Sequence, residues 1–264
     1  MYEFNYHRAT SVADAAAKLA AGSDAKLLAG GQTLIAALKL RLASPSDIVD
    51  LRGVAELRGI RKDGSSISIG AMTTHADVAS SKDVLKAVPA LANLAASIGD
   101  PMVRNMGTLG GSVANNDPAA DYPAGVLGLG ATLHTNKRKI AADEFFTGMY
   151  ETALQPGEII TSISFPLPKR AGYSKFKNPA SRYAIVGVFV AETAKGVRVA
   201  VTGAGPCVFR VAAMEKALGS KFSVDAVANI KVAAAGLNSD MHAGAEYRAH
   251  LVTVMARRAV EAAT

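Results

Sequence analysis

Hydrophobic positions recur along this chain with two spacings, which predicts a mixture of helices and strands. Apolar residues at helical spacing predict a first helix that ends at Gly22, with Thr10 or Ser11 as its N-cap. Further helices are predicted at 33–42, 84–88, 90–98, 123–129, 209–218, 224–235 and 245–261. Short apolar or alternating runs predict strands at 27–29, 47–51, 57–61, 66–70, 131–135, 139–141, 159–165, 183–192 and 197–202.

The order of these elements divides the chain near residue 168. Pro166 and Pro168 end a predicted strand. Beyond them, three predicted strands, the first within 173–177, precede three predicted helices, which is typical of a small α+β domain. We therefore expect two domains, 1–168 and 169–264, the second with a three-stranded antiparallel sheet.

The densest run of small and polar residues lies in the middle of the chain, at 106–121. It contains three glycines, two asparagines, two aspartates and the hydroxyls of Thr108 and Ser112. Glycines let the backbone approach a ligand closely, and clustered N–H groups in such a turn form an anion site. The run is neither GxGxxG nor GxxxxGK[ST], because no lysine follows the glycines. Taken alone, it is also compatible with a tight loop between two core elements.

A second glycine turn lies upstream. Residues 27–29 predict a short buried strand, Gly30 and Gly31 turn the chain, and a helix is predicted from Thr33. A strand, a Gly-Gly turn and a helix N-terminus can together hold a diphosphate, because free N–H groups and the helix dipole point at it.

Composition and charge narrow the function classes. Half of the 264 residues are hydrophobic, so a sizeable core is available. The net charge of +7 would suit nucleic acid, but no basic run with interleaved aromatics occurs, so we expect no nucleic-acid partner. An anionic cofactor, an acidic partner or a solvated face explains the charge better. The first residues lack a basic segment and an apolar run, and no apolar stretch reaches membrane-spanning length, so we expect a cytoplasmic protein without a membrane span.

The chain offers few groups for catalysis or metal binding. Cys207 is the only cysteine, which excludes an internal disulfide and a cysteine-ligated iron–sulfur or structural zinc site. The histidines show no metal-ligand spacing, and no nucleophile-elbow pattern occurs. Asp117 and Asp121 could form an acid/base couple, but we favour a binding role because no nucleophile or base partner is evident nearby. We therefore expect no catalytic residue and no metal site, as in a protein whose cofactor carries the chemistry.

The two glycine turns together resemble one family. They read AGGQTL at 29–34 and TLGGSVANNDPAAD at 108–121. These runs are similar to the AGGQSL and TIGGN-x-A-x-x-DPxAD motifs of the FAD-binding medium subunits of molybdenum hydroxylases, such as carbon monoxide dehydrogenase and xanthine dehydrogenase. Ser112 stands where that family usually has Asn, which shortens one hydrogen-bonding side chain. The resemblance runs through nearly the whole chain and includes residues 70–75, which are similar to IGA-x-T-T.

The resemblance implies a fold and a set of cofactor contacts. The fold is α+β: a two-lobed FAD-binding domain of the PCMH/vanillyl-alcohol oxidase type, with lobes of about 1–56 and 57–168, then a carbon monoxide dehydrogenase flavoprotein C-terminal domain. Asp121 would bind the adenosine side, and Tyr183 would cover the flavin ring, although a buried tyrosine at a strand start is an equal alternative. The implied FAD contacts are Leu28, Ala29, Gly30, Gly31, Gln32, Thr33, Leu34, Ile98, Thr108, Gly110, Gly111, Ser112, Asn115, Asp117, Asp121, Lys177 and Tyr183.

The resemblance also implies a function and partners. The chain would be the flavoprotein subunit of an oxidoreductase, passing electrons from partner clusters to an external acceptor. The implied partners are a small iron–sulfur subunit with two [2Fe–2S] clusters and a large molybdopterin-binding subunit, in a dimer of heterotrimers. Two alternatives stay open: a non-catalytic assembly or regulatory protein that keeps the fold without flavin, and a stand-alone flavin oxidase.

Overall fold

The N-terminal part of the chain builds a three-stranded parallel sheet, in the order β1-β3-β2, in the computed structural model, which describes residues 1–264. Its strands are β1 (Asn5–Arg8), β2 (Ala25–Leu28) and β3 (Asp47–Asp50), and its crossovers contain α1 (Val12–Ala21) and α2 (Leu34–Lys39). Ser11 is the cap of α1, because its hydroxyl accepts a hydrogen bond from the Asp14 N–H. Since the strands are parallel, Leu28 and Asp50 end at the same edge of the sheet, where the first glycine turn begins.

An antiparallel sheet of five strands follows, in the order β4-β5-β10-β6-β7. Its strands are β4 (Ile60–Asp63), β5 (Ser66–Gly70), β6 (Thr132–Thr135), β7 (Lys139–Ala141) and β10 (Ile160–Pro166). Between these strands lie α3 (His75–Ser80), α4 (Lys82–Ala87), α5 (Pro89–Ala96), α6 (Pro101–Met106), α7 (Leu109–Asn115), α8 (Tyr122–Leu129), α9 (Ala142–Phe145) and the hairpin of β8 (Phe146–Gly148) with β9 (Glu151–Thr152). The second glycine turn therefore lies at the start of α7.

The last part of the chain forms a third sheet and three helices. The sheet contains β11 (Arg170–Lys177), β12 (Ala184–Thr193), β13 (Gly196–Thr202) and β14 (Phe209–Arg210), all antiparallel, in that order. The helices are α10 (Ala212–Ser220), α11 (Val224–Val227) and α12 (Ala245–Glu261). The predicted α+β class is confirmed, but the prediction of three strands is wrong, because the sheet has four. No helix combines the length and the apolar character that crossing a bilayer requires.

Two predicted helices in this part are misplaced. The helix predicted at 209–218 begins later, at Ala212, because Phe209 and Arg210 pair with Val201 and Ala200 of β13. A two-residue strand is too short to show an alternating pattern. The helix predicted at 224–235 is only α11, since the residues after it pack on α12 and its neighbours in irregular conformation.

The second glycine turn and its surroundings are anchored to the largest core. This core of 31 buried residues includes strands of the five-stranded sheet, α8 and one face of β12. All eight residues of α8 are buried, and the apolar sequence YPAGVLGL explains why: a helix that is apolar on every side needs cover on every side. Strand β12 has neighbours on both faces, with Phe189 toward α8 and Val188 in a second core of 18 residues beneath α12. The residues after α7 are therefore held between the second and third sheets.

Candidate functional site

The first glycine turn leaves several main-chain donors free. It follows β2, whose last residue, Leu28, accepts a hydrogen bond from the Leu51 N–H at 3.0 Å. Gly31 has a φ of 75°, a conformation that favours glycine. The N–H groups at positions 30–33 donate no hydrogen bond within the chain. Four consecutive free donors at the end of a strand suit the oxygens of a phosphate.

The second glycine turn is built differently, because its first N–H groups already have acceptors. Thr108 caps α7, and its hydroxyl accepts from the Gly111 N–H at 3.1 Å. The N–H groups of Leu109 and Gly110 donate to the carbonyls of Thr73 (3.0 Å) and Ala71 (2.8 Å). Residues 71–75 thus fix this turn, whereas the run of four consecutive free main-chain donors lies in the first turn.

The two turns are in contact. A Cβ built on Gly30 would lie 2.7 Å from the Gly107 Cα and closer still to the carbonyl oxygen of Met106. A Cβ on Gly111 would lie 3.2 Å from the Ala29 Cβ. Real Cβ atoms essentially never approach within 3.0 Å, and 3.2 Å is tighter than most of their contacts, so glycine at position 30 permits the approach and glycine at position 111 eases it.

Several side chains on the turns are available to a ligand. Gln32 and Thr33 are exposed, and Leu34 begins α2. Ser112 and Asn115 are half-buried on α7, and neither side chain hydrogen-bonds within the chain. Ser112, the residue that departs from the family motif, therefore keeps a free hydroxyl at this position.

Asp121 has partners within the chain. Its carboxylate is buried and lies 2.9 Å from the Lys175 Nζ, and it accepts a hydrogen bond from the Tyr173 hydroxyl. Burial raises the pKa of this carboxyl, and the Lys175 cation opposes that rise. Lys177, two residues further along β11, is exposed at the strand end. An adenosine contact of Asp121 and a cofactor contact of Lys177 stay predictions.

Cations hold the loop that carries Ile98. The carbonyl of Ile98 accepts from Arg104 Nη1 at 2.9 Å, and that of Gly99 accepts from Arg104 at 3.1 Å and from Arg182 at 3.2 Å. Lys175 Nζ donates to the Ser97 carbonyl at 2.9 Å. Because Arg182 precedes Tyr183, these bonds connect the Ile98 loop directly to the loop of the predicted ring-covering tyrosine.

A cleft of about 440 Å³ lies beyond the second turn. Of the predicted contacts, Asp117 and Tyr183 line it, whereas residues 28–34 and 108–115 do not. Tyr183 is 48% exposed, which argues against a buried tyrosine at the strand start. The cleft lining that the sequence did not indicate includes Met149, Tyr150, Asp240, His242 and Arg248.

Arg248 forms a buried support for one wall of this cleft. Its guanidinium donates to the carbonyls of Ile185 (2.7 Å) and Gly203 (2.9 Å) and pairs with Asp240 at 2.7 Å. The only hint in the sequence is an arginine within the apolar pattern of α12. No cluster of three or more metal-ligating side chains occurs in the structure.

Comparison with known families identifies this arrangement. Residues 2–168 match the family described as the FAD binding domain in molybdopterin dehydrogenase, and residues 171–263 match the CO dehydrogenase flavoprotein C-terminal domain. The chain belongs to the FAD-binding medium subunits of the molybdenum hydroxylases. The predicted family, fold class and cofactor are thereby confirmed, and the chain is an FAD-binding subunit of oxidoreductase type rather than a flavin-free homologue.

Relatives of these medium subunits match along nearly their whole length. The carbon monoxide dehydrogenase medium chain of Hydrogenophaga pseudoflava is 37% identical, with 98% of this chain and 96% of that one covered. The nicotine 6-hydroxylase medium subunit of Paenarthrobacter nicotinovorans is also 37% identical, with 97% and 95% covered. Among solved structures, a Cu,Mo-CO dehydrogenase in its cyanide-inactivated form superposes with a TM-score of 0.91 at 36% identity, covering 99% of this chain and 98% of that one. Quinoline 2-oxidoreductase from Pseudomonas putida 86 superposes with a TM-score of 0.88 at 30% identity, covering 98% of this chain and 96% of that one.

Proposed function

We propose that this medium subunit passes electrons from iron–sulfur clusters in a partner chain to an external acceptor, using FAD held between its two glycine turns. The observation that carries the proposal is the direct contact of the two turns, with four free N–H groups at the first. Bound FAD supplies the capacity to accept and release electrons, and the protein binds, orients and shields it.

The residues present fit the diphosphate of FAD. The free N–H groups of Gly30, Gly31, Gln32 and Thr33 would donate to its oxygens, and no Cβ at Gly30 or Gly111 obstructs the turns. The remaining contacts of the turns would come from Leu28, Ala29, Leu34, Thr108, Gly110, Ser112 and Asn115. Asp117 and Tyr183 would reach the flavin end through the cleft, with Ile98, Asp121 and Lys177 as further contacts.

We infer that the partners are a small iron–sulfur subunit with two [2Fe–2S] clusters and a large molybdopterin-binding subunit, assembled as a dimer of heterotrimers in the cytoplasm. The relatives' names support this, because a medium chain implies a smaller and a larger one. One cysteine cannot supply the four ligands of a [2Fe–2S] cluster, which supports clusters on another chain.

The proposed domain division is 1–168, with lobes of about 1–56 and 57–168, followed by 169–264. The three main sheets support it, because each consists of strands from one of these segments.

Cofactor titration of the purified chain tests the proposal. We expect FAD to bind with one molecule per chain, and FMN, which lacks the adenosine monophosphate portion and therefore has no diphosphate, to bind far more weakly. Gly111→Val should abolish FAD binding, because its side chain would meet Thr108 and Ala29. The matched control is Gly219→Ala, since Gly219 lies in α10 with no atom near the added Cβ. Failure to bind FAD, or tight FMN binding with FAD excluded, would contradict the proposal.

Co-expression with candidate partners tests the electron relay. We expect a small partner with the visible absorption of [2Fe–2S] clusters to copurify, and the bound FAD to be reduced when the large subunit receives its substrate. An assembly protein without flavin would also copurify with partners, but it would show no flavin absorption. Flavin that stays oxidised in the complete complex would refute the relay.

A further inference from the structure

Two exposed tyrosines line the cleft that follows the second glycine turn. Tyr183 comes from the loop before β12, and Tyr150 comes from the hairpin between β8 and β9. They are 48% and 56% exposed. Burial, followed by the negative charge of Asp117, raises the pKa of both hydroxyls, which indicates that all three groups face one space. Tyr183 is already an expected ring contact, whereas Tyr150 has no assigned role.

The backbone at Tyr150 adopts a conformation that tyrosine rarely takes. Its φ is 57°, in the left-handed region. Its N–H donates to the carbonyl of Asn116 at 3.2 Å, and Asn116 is itself left-handed, with a φ of 43°. Such conformations persist only where the surroundings enforce them, and they concentrate at functional positions.

The side chain of Asn116 holds this hairpin in place. Its Nδ2 donates to the carbonyls of Gly148 and Glu151, each at 2.8 Å, which lie on either side of Tyr150 in the hairpin. Asn116 is 1% exposed and ends α7, immediately before Asp117. Hydrogen bonds of Asn116 therefore fix the Tyr150 hairpin directly to the second glycine turn.

We propose that Tyr150 is a second aromatic contact of the isoalloxazine ring of FAD, in addition to Tyr183, and that Asn116 is its positioning residue. The proposal rests on the proposed function, because the ring reaches this cleft only if FAD is bound by the turns. Aromatic side chains contact planar rings favourably in stacked or edge-on arrangements. A tyrosine whose backbone is already fixed loses little freedom when a ring packs on it.

The test compares two ligands that share the same diphosphate. FAD carries the isoalloxazine ring, whereas ADP does not. For Tyr150→Leu we expect the FAD dissociation constant to rise about threefold to tenfold, the size of one aromatic contact, with the ADP constant unchanged. Tyr150→Phe keeps the ring and should stay within about twofold of the unmodified chain for both ligands. Flavin fluorescence provides a second readout: Tyr150→Leu should increase the emission of bound FAD, and Tyr150→Phe should not.

Tyr247→Leu is the matched control for loss of an exposed tyrosine. Tyr247 is 46% exposed on α12, packs against Phe176 and does not line the cleft, so its loss should leave both constants unchanged. Asn116→Gly keeps the left-handed backbone but removes both side-chain hydrogen bonds. It should weaken FAD binding as Tyr150→Leu does, again without weakening ADP. If Asn116→Gly does not fold, Tyr150→Leu still decides the ring contact.

Three results would overturn the inference. FAD binding that is unaffected by Tyr150→Leu would show that Tyr150 does not touch the ring. Equal weakening of FAD and ADP would show that the hairpin only supports the fold. If the unmodified chain does not bind FAD, the proposed function fails and this inference fails with it, whereas the first two results leave the proposed function intact.

Discussion

Gly30→Ala isolates the contact between the two glycine turns. Unlike Gly31, Gly30 does not have a positive φ, so alanine is compatible with its backbone. The only obstacle is space: the new Cβ would lie 2.7 Å from the Cα of Gly107 and 2.9 Å from the carbonyl carbon of Met106. Both are main-chain atoms, so no side chain can rotate away.

The expected cost follows from that geometry. Contacts of this kind relax only when the turns separate by about 0.5–1 Å, and overpacking of this size costs about 1–3 kcal/mol. The same separation displaces the free N–H groups of the first turn relative to α7. We therefore expect the FAD dissociation constant to rise at least about tenfold, in addition to the loss of stability.

Denaturant unfolding and FAD titration of the same preparation measure the two effects. Gly219→Ala is the control, because it adds the same methyl group in open space inside α10 and should be neutral or stabilise by up to about 1 kcal/mol. Unchanged stability in Gly30→Ala would show that the turns do not touch in solution. Reduced stability with unchanged FAD affinity would show that they touch but do not form the diphosphate site.

Buried polar groups lead to three further expectations. Lys175→Met should lower the free energy of unfolding by about 3–5 kcal/mol, because it leaves the Asp121 carboxylate buried without its cation. Adding Asp121→Asn should restore part of this loss. An unchanged free energy of unfolding in Lys175→Met would refute the buried pair. The pKa of Glu158 is lowered from 4.5 to about 2, chiefly by its hydrogen bond with Arg138, which predicts stability that is present above pH 4.5 and lost as the pH falls through 2. Acid unfolding of Glu158→Gln should lack this slope, and an unchanged slope would contradict the prediction. Burial lowers the pKa of His75 from 6.5 to about 4, so the unfolded chain takes up this proton at a higher pH than the folded chain does. The free energy of unfolding should therefore fall as the pH drops from 6.5 to 4. A His75→Asn variant whose free energy of unfolding falls equally over this pH range would contradict the prediction.

Helices and strands with a regular spacing of hydrophobic residues could be predicted from the sequence. Segments whose conformation depends on contacts with residues far away in the sequence could not. The apolar run of β12 is long enough to identify a strand covered on both faces. The alanine-rich residues after α11 favour a helix by propensity, but Ile230 and Val232 pack on the second core at a spacing of two, and Thr253 hydrogen-bonds the Ile230 carbonyl. Packing therefore overrides propensity there.

The site shows the same division. The glycine turns are visible in the sequence because only small residues tolerate such close approach, as at Gly30. The pairing of Asp121 with Tyr173 and Lys175 could not be predicted from the sequence. Tyr173 and Lys175 are two residues apart on β11, so they lie on the same face of the strand, but the neighbouring sequence does not indicate which residue they contact. The Asn116 contacts to the hairpin are equally distant in sequence, so the role proposed for Tyr150 could be inferred only from the fold.

The two glycine turns have different physical tasks, although their sequences look alike. The first turn keeps its N–H groups free, so its contribution to the proposed site would be hydrogen bonding to an anion. The second turn uses the N–H groups of Leu109 and Gly110 to attach α7 to residues 71–75, and the main-chain N–H of the buried His75 donates to the Gly107 carbonyl. Its contribution is a rigid surface that holds the first turn in position. Neither turn could form the proposed diphosphate site alone, because free donors without a fixed opposing wall would stay hydrated, and a wall without donors would offer the phosphates nothing to bind.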